Sequence, residues 1–564
     1  MTADLTSSQL ALGDQRSWVL GTVLETQAER RGNQEFLQFR DHRAITFGDF
    51  NRQVNRVAHG LTRLGVGKSD AVMVMMPNSA EFVIAWFAIA KLGAVTVPTN
   101  TFYKGVSLEG VANNCKARIC VTHPQFLEVW ANVENTCPSL ERLCVVELDS
   151  APANDVSAFR RCTISAFEEL YDNPDHNPNI EVLHSDVASI LYTSGTTGPS
   201  KGVLMPHAQC YLFAQQGLAQ MRVTERDVYF TCLPLYHVAA SYLALYCMLV
   251  AGGKLVLYPT FQAGSWIADI RRSKATITQM VGVMADFVYK QPARPDDSQN
   301  ELRAASVVPM PEAILDGFRE RFGIETILTQ YGMTELAMCI CMPWGERRRG
   351  SCGKADETWF DMRIVDPETD QEVPHGETGE LVCRPKAPWI ITQGYFGMPE
   401  ETLRSWRNLW FHTGDVLKRD ADGYFYFVDR VKDALRRRGE NISSYEVESV
   451  ILKYPSVAEC AVVAAKSSDE GGEDEVKACI VLKPGADLDA ADLIAFCDAR
   501  MPYYTVPRYV TVLDELPKTP TGKFRKALLR QEGLGERTWD RVSAGVRLKE
   551  EIERARRREI AKQA

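Results

Sequence analysis

No CxxC pair occurs among the 15 cysteines of this 564-residue chain, and no cysteine stands at a zinc-site spacing from a histidine. The tightest pair, Cys339 and Cys341, brackets a single residue inside an apolar run. That scatter argues against a disulfide framework and fits buried free thiols in a reducing cytosol. Positive charge is not in excess either: 64 Lys and Arg stand against 73 Asp and Glu, a formal net charge of −9. A nucleic-acid partner, which would ask for a basic face, is therefore not expected. Nor is there an uninterrupted span of about 20 apolar residues. The two most apolar stretches, EFVIAWFAIAKLGAVTVP (81–98) and YLALYCMLVAGGKLVLYP (242–259), are broken by Lys and Gly and end at Pro. Each predicts a buried helix running into a buried strand. The first residues, MTADLTSSQLALGDQRS, show no basic region leading into an apolar one, so no secretory signal is read there and a cytoplasmic protein without a transmembrane segment is expected.

What is present begins with size. A chain of this length outgrows a single core, so at least two domains are expected. Between about 45 and 260, helical patterns such as RQVNRVAHGLTRLG alternate with β-branched runs such as AVMVMMP, which predicts βα units around parallel sheets. Around 360–430 short strands (FDMRIVD, GELVCRP, GYFYFVDR) separated by Pro, Gly and Asp turns predict a β-rich subdomain. Past Arg430 the pattern becomes a compact α+β unit of roughly 100 residues, with SSDEGGED (467–474) as an acidic turn inside it. The expected boundaries are 1–429, 430–535 and a charged helical tail over 536–564, whose last residues, VRLKEEIERARRREIAKQA, read as a solvated helix or frayed end.

Residues 191–203, LYTSGTTGPSKGV, are an apolar strand end followed by Gly, Ser, Thr and Pro and closed by a lysine. Hydroxyl donors and glycines that let backbone N–H groups approach an anion suit a phosphate loop. A Walker A loop is excluded, because Lys201 is preceded by Ser200 and followed by Gly202, and G-x-x-x-x-G-K-[S/T] needs other neighbours.

TSGTTGPSKGV resembles the AMP-binding signature of the adenylate-forming superfamily, which includes acyl-CoA synthetases, nonribosomal-peptide adenylation domains and beetle luciferases. LPLYH (233–237), YGMTE (331–335), TGD (413–415), DRVKD (429–433), RRRGENIS (436–443) and PKTPTGKFRK (517–526) follow in that family's order, so the resemblance spans roughly 20–530. It implies an α/β fold: a large N-terminal domain of two βα subdomains plus a β-rich subdomain, a hinge, and a small mobile α+β C-terminal domain. It also implies a reaction. A carboxylate and ATP give acyl-AMP and pyrophosphate, and the acyl group then passes to the thiol of CoA with release of AMP. The partners expected are a small carboxylic acid, ATP, Mg²⁺ and CoA, for a monomer or homodimer. Two other readings stay open: a ligase delivering to a carrier protein, and a catalytically inactive nucleotide-binding paralogue.

The resemblance assigns residues. Thr193, Ser194, Gly195, Thr196, Thr197 and Gly198, with Lys201 as a phosphate contact, would clamp the β- and γ-phosphates. Gln330, Tyr331, Gly332 and Thr334 would border the nucleotide, Tyr331 stacking on adenine, and Glu335 would hold Mg²⁺, which takes one or two carboxylates. Asp415 would accept from the ribose hydroxyls and Arg430 would face ribose and phosphate. Lys523 would bridge the acyl carboxylate and the α-phosphate, a task for an ammonium on a flexible stem. Lys432 occupies the hinge position, and Arg436, Arg437, Arg438, Gly439 and Glu440 form the loop offered to CoA, a solvated basic turn being the alternative.

His237 resembles the histidine at the mouth of the acyl pocket, a satisfied core histidine being its alternative. Ala239, Ser241 and Leu243 would line the cavity with it. No aspartate stands in 238–249, which argues against an α-amino acid substrate. At 306–311 SVVPMP departs from the glycine-rich stretch of most relatives, and Val307 and Val308 would add bulk to the pocket. That loss, with RRGENIS and NLWFHTGD, resembles carnitine- or crotonobetaine-CoA ligases. A quaternary ammonium would want an aromatic cage, for which Tyr236, Tyr242 and Trp389 are candidates. Alicyclic, aromatic, medium-chain and carnitine-like acids all remain in play.

Overall fold

Ser79 caps the helix Ala80–Lys91 by accepting from the N–H of Phe82, and every residue from Phe82 to Lys91 is buried. A helix apolar on all sides belongs inside a core, and it runs on into the buried strand Val95–Pro98. The second apolar stretch does the same. It winds as a π-helix over Ser241–Tyr246, continues as an α-helix over Cys247–Ala251, turns at Gly252 and ends in the strand Lys254–Leu257. The computed structural model from which these elements are read describes residues 17–193, 200–312, 314–430, 435–437, 440–442, 444–466, 474–517, 524 and 526–553.

Contacts divide the chain into two units. The first takes the described residues of Met1–Thr101, Ala112–Tyr192 and Gly202–Val431; the second takes those of Phe102–Val111, Thr193–Lys201 and Lys432–Ala564. Three seven-stranded sheets belong to the first. One runs Thr163–Ala166, Arg142–Val145, Ile119–Thr122, Ala71–Met75, Val95–Pro98, Val187–Thr193, Lys201–Pro206, and its first five strands pair in parallel. A second runs Thr326–Leu328, Ala304–Val308, Ile277–Val281, Val228–Thr231, Lys254–Leu257, Glu35–Phe39, Ile45–Thr46, parallel except at its last pair. The third, antiparallel, holds Gln330–Met333, Ala337–Cys341, Gly353–Ala355, Tyr424–Arg430, Phe411–Arg419, Thr378–Pro385 and Phe360–Val365. These are the two βα subdomains and the β subdomain of the expected α/β fold. The alternation over 45–260 is not one sheet, however. Glu35–Phe39 pairs with the next strand, Ile45–Thr46, and with the distant Lys254–Leu257, while Ala71–Met75 and Val95–Pro98 lie in the other parallel sheet.

The second unit carries a four-stranded sheet, Val457–Lys466, Asp474–Leu482, Tyr509–Val512 and Thr538–Asp540, and a two-stranded ribbon, Leu435–Arg437 with Glu440–Ile442. Its last strand corrects the expected tail. Thr538–Asp540 pairs with Tyr509–Thr511. Arg541, 1% exposed, binds Glu551 at 2.8 Å, and Leu548 lies in the core. Residues 538–553 are thus folded into the unit, because a buried guanidinium and two apolar anchors, Trp539 and Leu548, hold them there. Of SSDEGGED only Asp474 lies among the described residues; it opens the strand paired with Val457–Lys466.

None of the fifteen cysteines forms a disulfide, and thirteen are buried. Among the described residues no helix is long and apolar enough to cross a membrane.

Candidate active site

The hairpin of Gln330–Met333 and Ala337–Cys341 carries YGMTE. Its tightness explains Gly332: a Cβ there would stand 2.3 Å from the carbonyl oxygen of Ala337. Tyr331 is buried and donates its phenol to Asp415 Oδ2 at 2.6 Å. Burial, and then the charge of Asp415, push that phenol well above the usual tyrosine range. Asp415 lies on Phe411–Arg419, opposite Arg430 in register. Gly414 beside it has φ +72°, a conformation that favours glycine and lets TGD turn its aspartate inward. The neighbouring Thr413 Oγ1 accepts the N–H of Asp415 at 3.1 Å.

Thr334 and Glu335 occupy the turn of the hairpin. Glu335 is 6% exposed, and its carboxylate accepts from the Tyr395 hydroxyl at 2.9 Å. Its main-chain oxygen accepts from the N–H of Thr392 at 2.9 Å. The segment 392–396 is in turn stitched to the strand that leaves the phosphate loop. Leu204 N donates to Gly394 O at 2.9 Å, Gln393 N to Leu204 O at 3.0 Å, and Phe396 N to Gly202 O at 2.8 Å. Thr193 and Lys201 close the strands on either side of that loop, Thr193 Oγ1 lying 3.5 Å from Lys201 O. Ser194, Gly195, Thr196, Thr197 and Gly198 lie outside the described residues, as do Lys432, Arg438, Gly439 and Lys523.

The residues expected on the acid side lie on and beside neighbouring strands. Gln279 and Ser306 are register partners, so they share a face, and Val281 and Val308, each two residues on, share it too. Gln279 donates to the carbonyl of Ala239, and Ser306 Oγ donates to Gln330 Oε1 at 2.9 Å. Val307 corrects the expectation. It is fully buried and points to the opposite face from half-buried Val308, so the two cannot line one cavity. Ser241 turns its hydroxyl back to the carbonyl of His237 at 2.9 Å, in the first turn of its own helix. His237 is exposed with its ring 4.7 Å from that of Tyr236, and Leu243 is buried. The core reading of His237 fails on that exposure.

Arg437 is taken off the surface offered to CoA. It is 3% exposed, donates to the carbonyls of Tyr504 and Val506, and pairs with Glu475 at 2.7 Å. Its neighbours Arg436 and Glu440 belong to the ribbon backbone, Arg436 opposite Asn441 and Arg437 opposite Glu440.

Among the described residues no group of three or more His, Cys, Asp or Glu gathers as a metal cage. A Mg²⁺ ion that arrives with a polyphosphate needs only one or two protein carboxylates and takes its other ligands from phosphate and water. Glu335, buried and held in place, is a donor of that kind.

Comparison with known proteins matches residues 24–396 to the model of the AMP-binding enzyme family. The chain belongs to the AMP-binding enzymes. The model of the AMP-binding enzyme C-terminal domain matches 446–523. The crotonobetaine/carnitine–CoA ligase of Salmonella agona is 32% identical over 495 residues, 86% of this chain and 93% of the relative. Among solved structures, an anthranilate CoA ligase in complex with anthranoyl-AMP aligns with TM-score 0.68 at 29% identity, covering 91% of this chain and 96% of its own. The o-succinylbenzoate CoA synthetase of Bacillus subtilis aligns with TM-score 0.76 at 25% identity, covering 90% and 98%. This AMP-binding enzyme is an AMP-forming acid–CoA ligase that uses ATP and CoA.

Three residues at this enzyme's site escape a motif-based reading. Tyr395 and Thr392 lie in ITQGYF, whose only signal is its aromatic-glycine composition. Gln279 is a single amide in a strand otherwise apolar or β-branched, ITQMV, and that isolation is its signal.

Proposed function

We propose that the acid this ligase activates has an uncharged aromatic, alicyclic or medium-chain body. One observation carries the reading: the face joining the helix that follows LPLYH to the YGMTE hairpin is made of Gln279, Val281, Ser306 and Val308, all neutral. A quaternary ammonium would want several aromatics around one point. Tyr242 is committed elsewhere, 1% exposed, its hydroxyl on Ser189 Oγ at 2.7 Å and its ring packed by Trp86, Phe213 and Tyr246. Trp389, by contrast, is 46% exposed.

In the first step a carboxylate must attack an anionic phosphate, so opposing charge has to be neutralised while the reactants are held in line. Asp415 and Tyr331 orient the nucleoside, with Gln330 and Gly332 along its edge and Arg430 toward ribose and phosphate. The loop 193–198 and Lys201 hold the leaving pyrophosphate. Thr334 and Glu335 face the polyphosphate, and Glu335 would hold a Mg²⁺ ion that would supply charge neutralisation there. Lys523 bridges carboxylate and α-phosphate, and His237 stands at the pocket mouth beside Ala239 and Leu243. In the second step a hinge at Lys432 presents Arg436, Arg438, Gly439 and Glu440 to CoA. The division of contacts after Val431 supports that hinge. The free thiols support a reducing, cytoplasmic setting.

Acid- and CoA-dependent AMP formation tests the substrate reading. Benzoate, cyclohexanecarboxylate or octanoate is expected to exceed carnitine and crotonobetaine in kcat/KM by at least about tenfold, the scale of discrimination a hydrophobic pocket supplies. A preference for either ammonium acid refutes it.

A further inference from the structure

The helix His207–Met221 follows directly on Lys201–Pro206, the strand that leaves the phosphate loop. Gln209, Gln216 and Gln220 lie within about 20° of one line along it, given 3.6 residues per turn. All three are buried. Each gives its amide to one stretch of the nucleotide-side hairpin. Gln220 Nε2 donates to Thr329 O at 3.2 Å. Gln216 Nε2 donates to Met338 O at 2.7 Å and to Asp356 at 2.9 Å, while its Oε1 accepts from Met338 N at 3.0 Å. Gln209 Nε2 donates to both Thr334 O, at 2.7 Å, and Glu335 O, at 2.9 Å.

The last pair differs in what it holds. Thr334 and Glu335 sit in the hairpin turn, where main-chain oxygens leave the strand ladder and need other donors. Gln209 meets both, although its own Oε1 is buried with no hydrogen-bond partner among the described residues. An aliphatic side chain would fill the same space without burying an unsatisfied oxygen. The amide is therefore retained for the turn it grips.

We propose that Gln209 is a positioning residue for adenylation. It fixes the turn bearing the Thr334 hydroxyl and the Glu335 carboxylate against the helix His207–Met221, so both side chains are held in place for the polyphosphate. The inference rests on the reading of Thr334 and Glu335 as polyphosphate-side groups.

The test is acid-dependent pyrophosphate–ATP exchange, with Mg²⁺ titrated at fixed ATP, beside thermal unfolding. Q209M keeps length and loses both donors. Q220M removes the same kind of bond from the same helix face at Thr329, outside the turn. Q209M is expected to lower kcat by about 10- to 100-fold, the penalty for a misplaced reacting group, and to raise the Mg²⁺ needed for half-maximal rate severalfold. Q220M shifts Tm comparably and keeps kcat within about twofold. Gln209→Asn, with an amide one methylene short, gives an intermediate loss, and carries the test where Q209M is not recovered folded. Equal kcat losses in Q209M and Q220M, or a Q209M or Gln209→Asn enzyme with wild-type kcat and Mg²⁺ dependence, overturn the proposal. Failure of the underlying reading shows separately, as an unchanged Mg²⁺ dependence in Glu335→Gln.

Discussion

The phenol of Tyr331 and the carboxylate of Asp415 meet at 2.6 Å, joining YGMTE to TGD across 84 residues of chain. The bond ties the ring read as the adenine platform to the acid read as the ribose acceptor, so neither moves alone. Tyr331→Phe keeps the ring and leaves Asp415 Oδ2 without that donor. A buried acceptor stripped of its partner costs about 1–3 kcal/mol. The expected result is a stability loss of that size with AMP affinity weakened severalfold, and a smaller change in kcat. Calorimetric titration with AMP checks it; wild-type affinity in a destabilised variant would separate the bond from nucleotide binding.

Val307 and Val308 point to opposite faces of one strand, and their substitutions should separate accordingly. Val307→Ala removes volume from a fully buried site and is expected to cost about 2 kcal/mol without altering acid preference. Val308→Ala opens the neutral face shared with Gln279 and Ser306 and is expected to favour bulkier acids with little loss of stability. An acid panel and a denaturation curve for each variant decide it. A selectivity change confined to Val307→Ala would reverse the assignment of faces.

Much of this architecture was readable because local pattern and tertiary role coincide. The stretch 81–98 is apolar at every turn of helix and strand, and only a core accommodates that. Motif order singled out Tyr331 and Asp415, which the fold brings into contact, and Glu335, which it buries, since TGD and YGMTE keep short, recognisable spacings. What escaped was decided by distant packing. That Arg437 would be buried on the carbonyls of Tyr504 and Val506 is not encoded in RRRG. The role of Tyr395 depends on a carboxylate 60 residues earlier in the chain. The end of the chain misled through composition. A charged stretch with few apolar anchors reads as solvated, yet Trp539, Leu548 and the Arg541–Glu551 pair suffice to fold it.

Lys91 illustrates a structural cation outside the site. Its ammonium, on a side chain 1% exposed, donates to Glu25 at 2.8 Å, Asn51 at 2.8 Å, Asn55 at 2.8 Å and Asn177 at 2.9 Å. It thereby ties three helices to the segment around residue 177. Lys91→Met is expected to cost about 3 kcal/mol, since removing one partner of a buried polar cluster strands the others. The denaturation midpoint should fall while kcat of the folded enzyme holds. An unchanged midpoint would mean that the cluster is neutral to stability.

His207 should set part of the acid limit of stability. It is fully buried, its Nδ1 accepts from Leu20 N at 3.3 Å, and its Nε2 has no partner among the described residues, so the proton of the neutral ring lies on Nε2. Burial depresses it from 6.5 to about 4; Asp186 opposes that shift and Lys68 adds to it. The folded state therefore binds fewer protons than the unfolded state between those two values, and stability falls as pH drops through the interval. A depression of this size corresponds to about 3 kcal/mol, present in full above pH 6.5 and lost by about pH 4. Carboxylates contribute their own acid sensitivity, so the informative quantity is a difference. His207→Gln can keep an acceptor for Leu20 N while removing the titration, and its stability curve should run flatter than wild type between pH 6.5 and 4. Urea unfolding at half-unit pH steps measures both curves, and parallel slopes would show that His207 is not the group responsible.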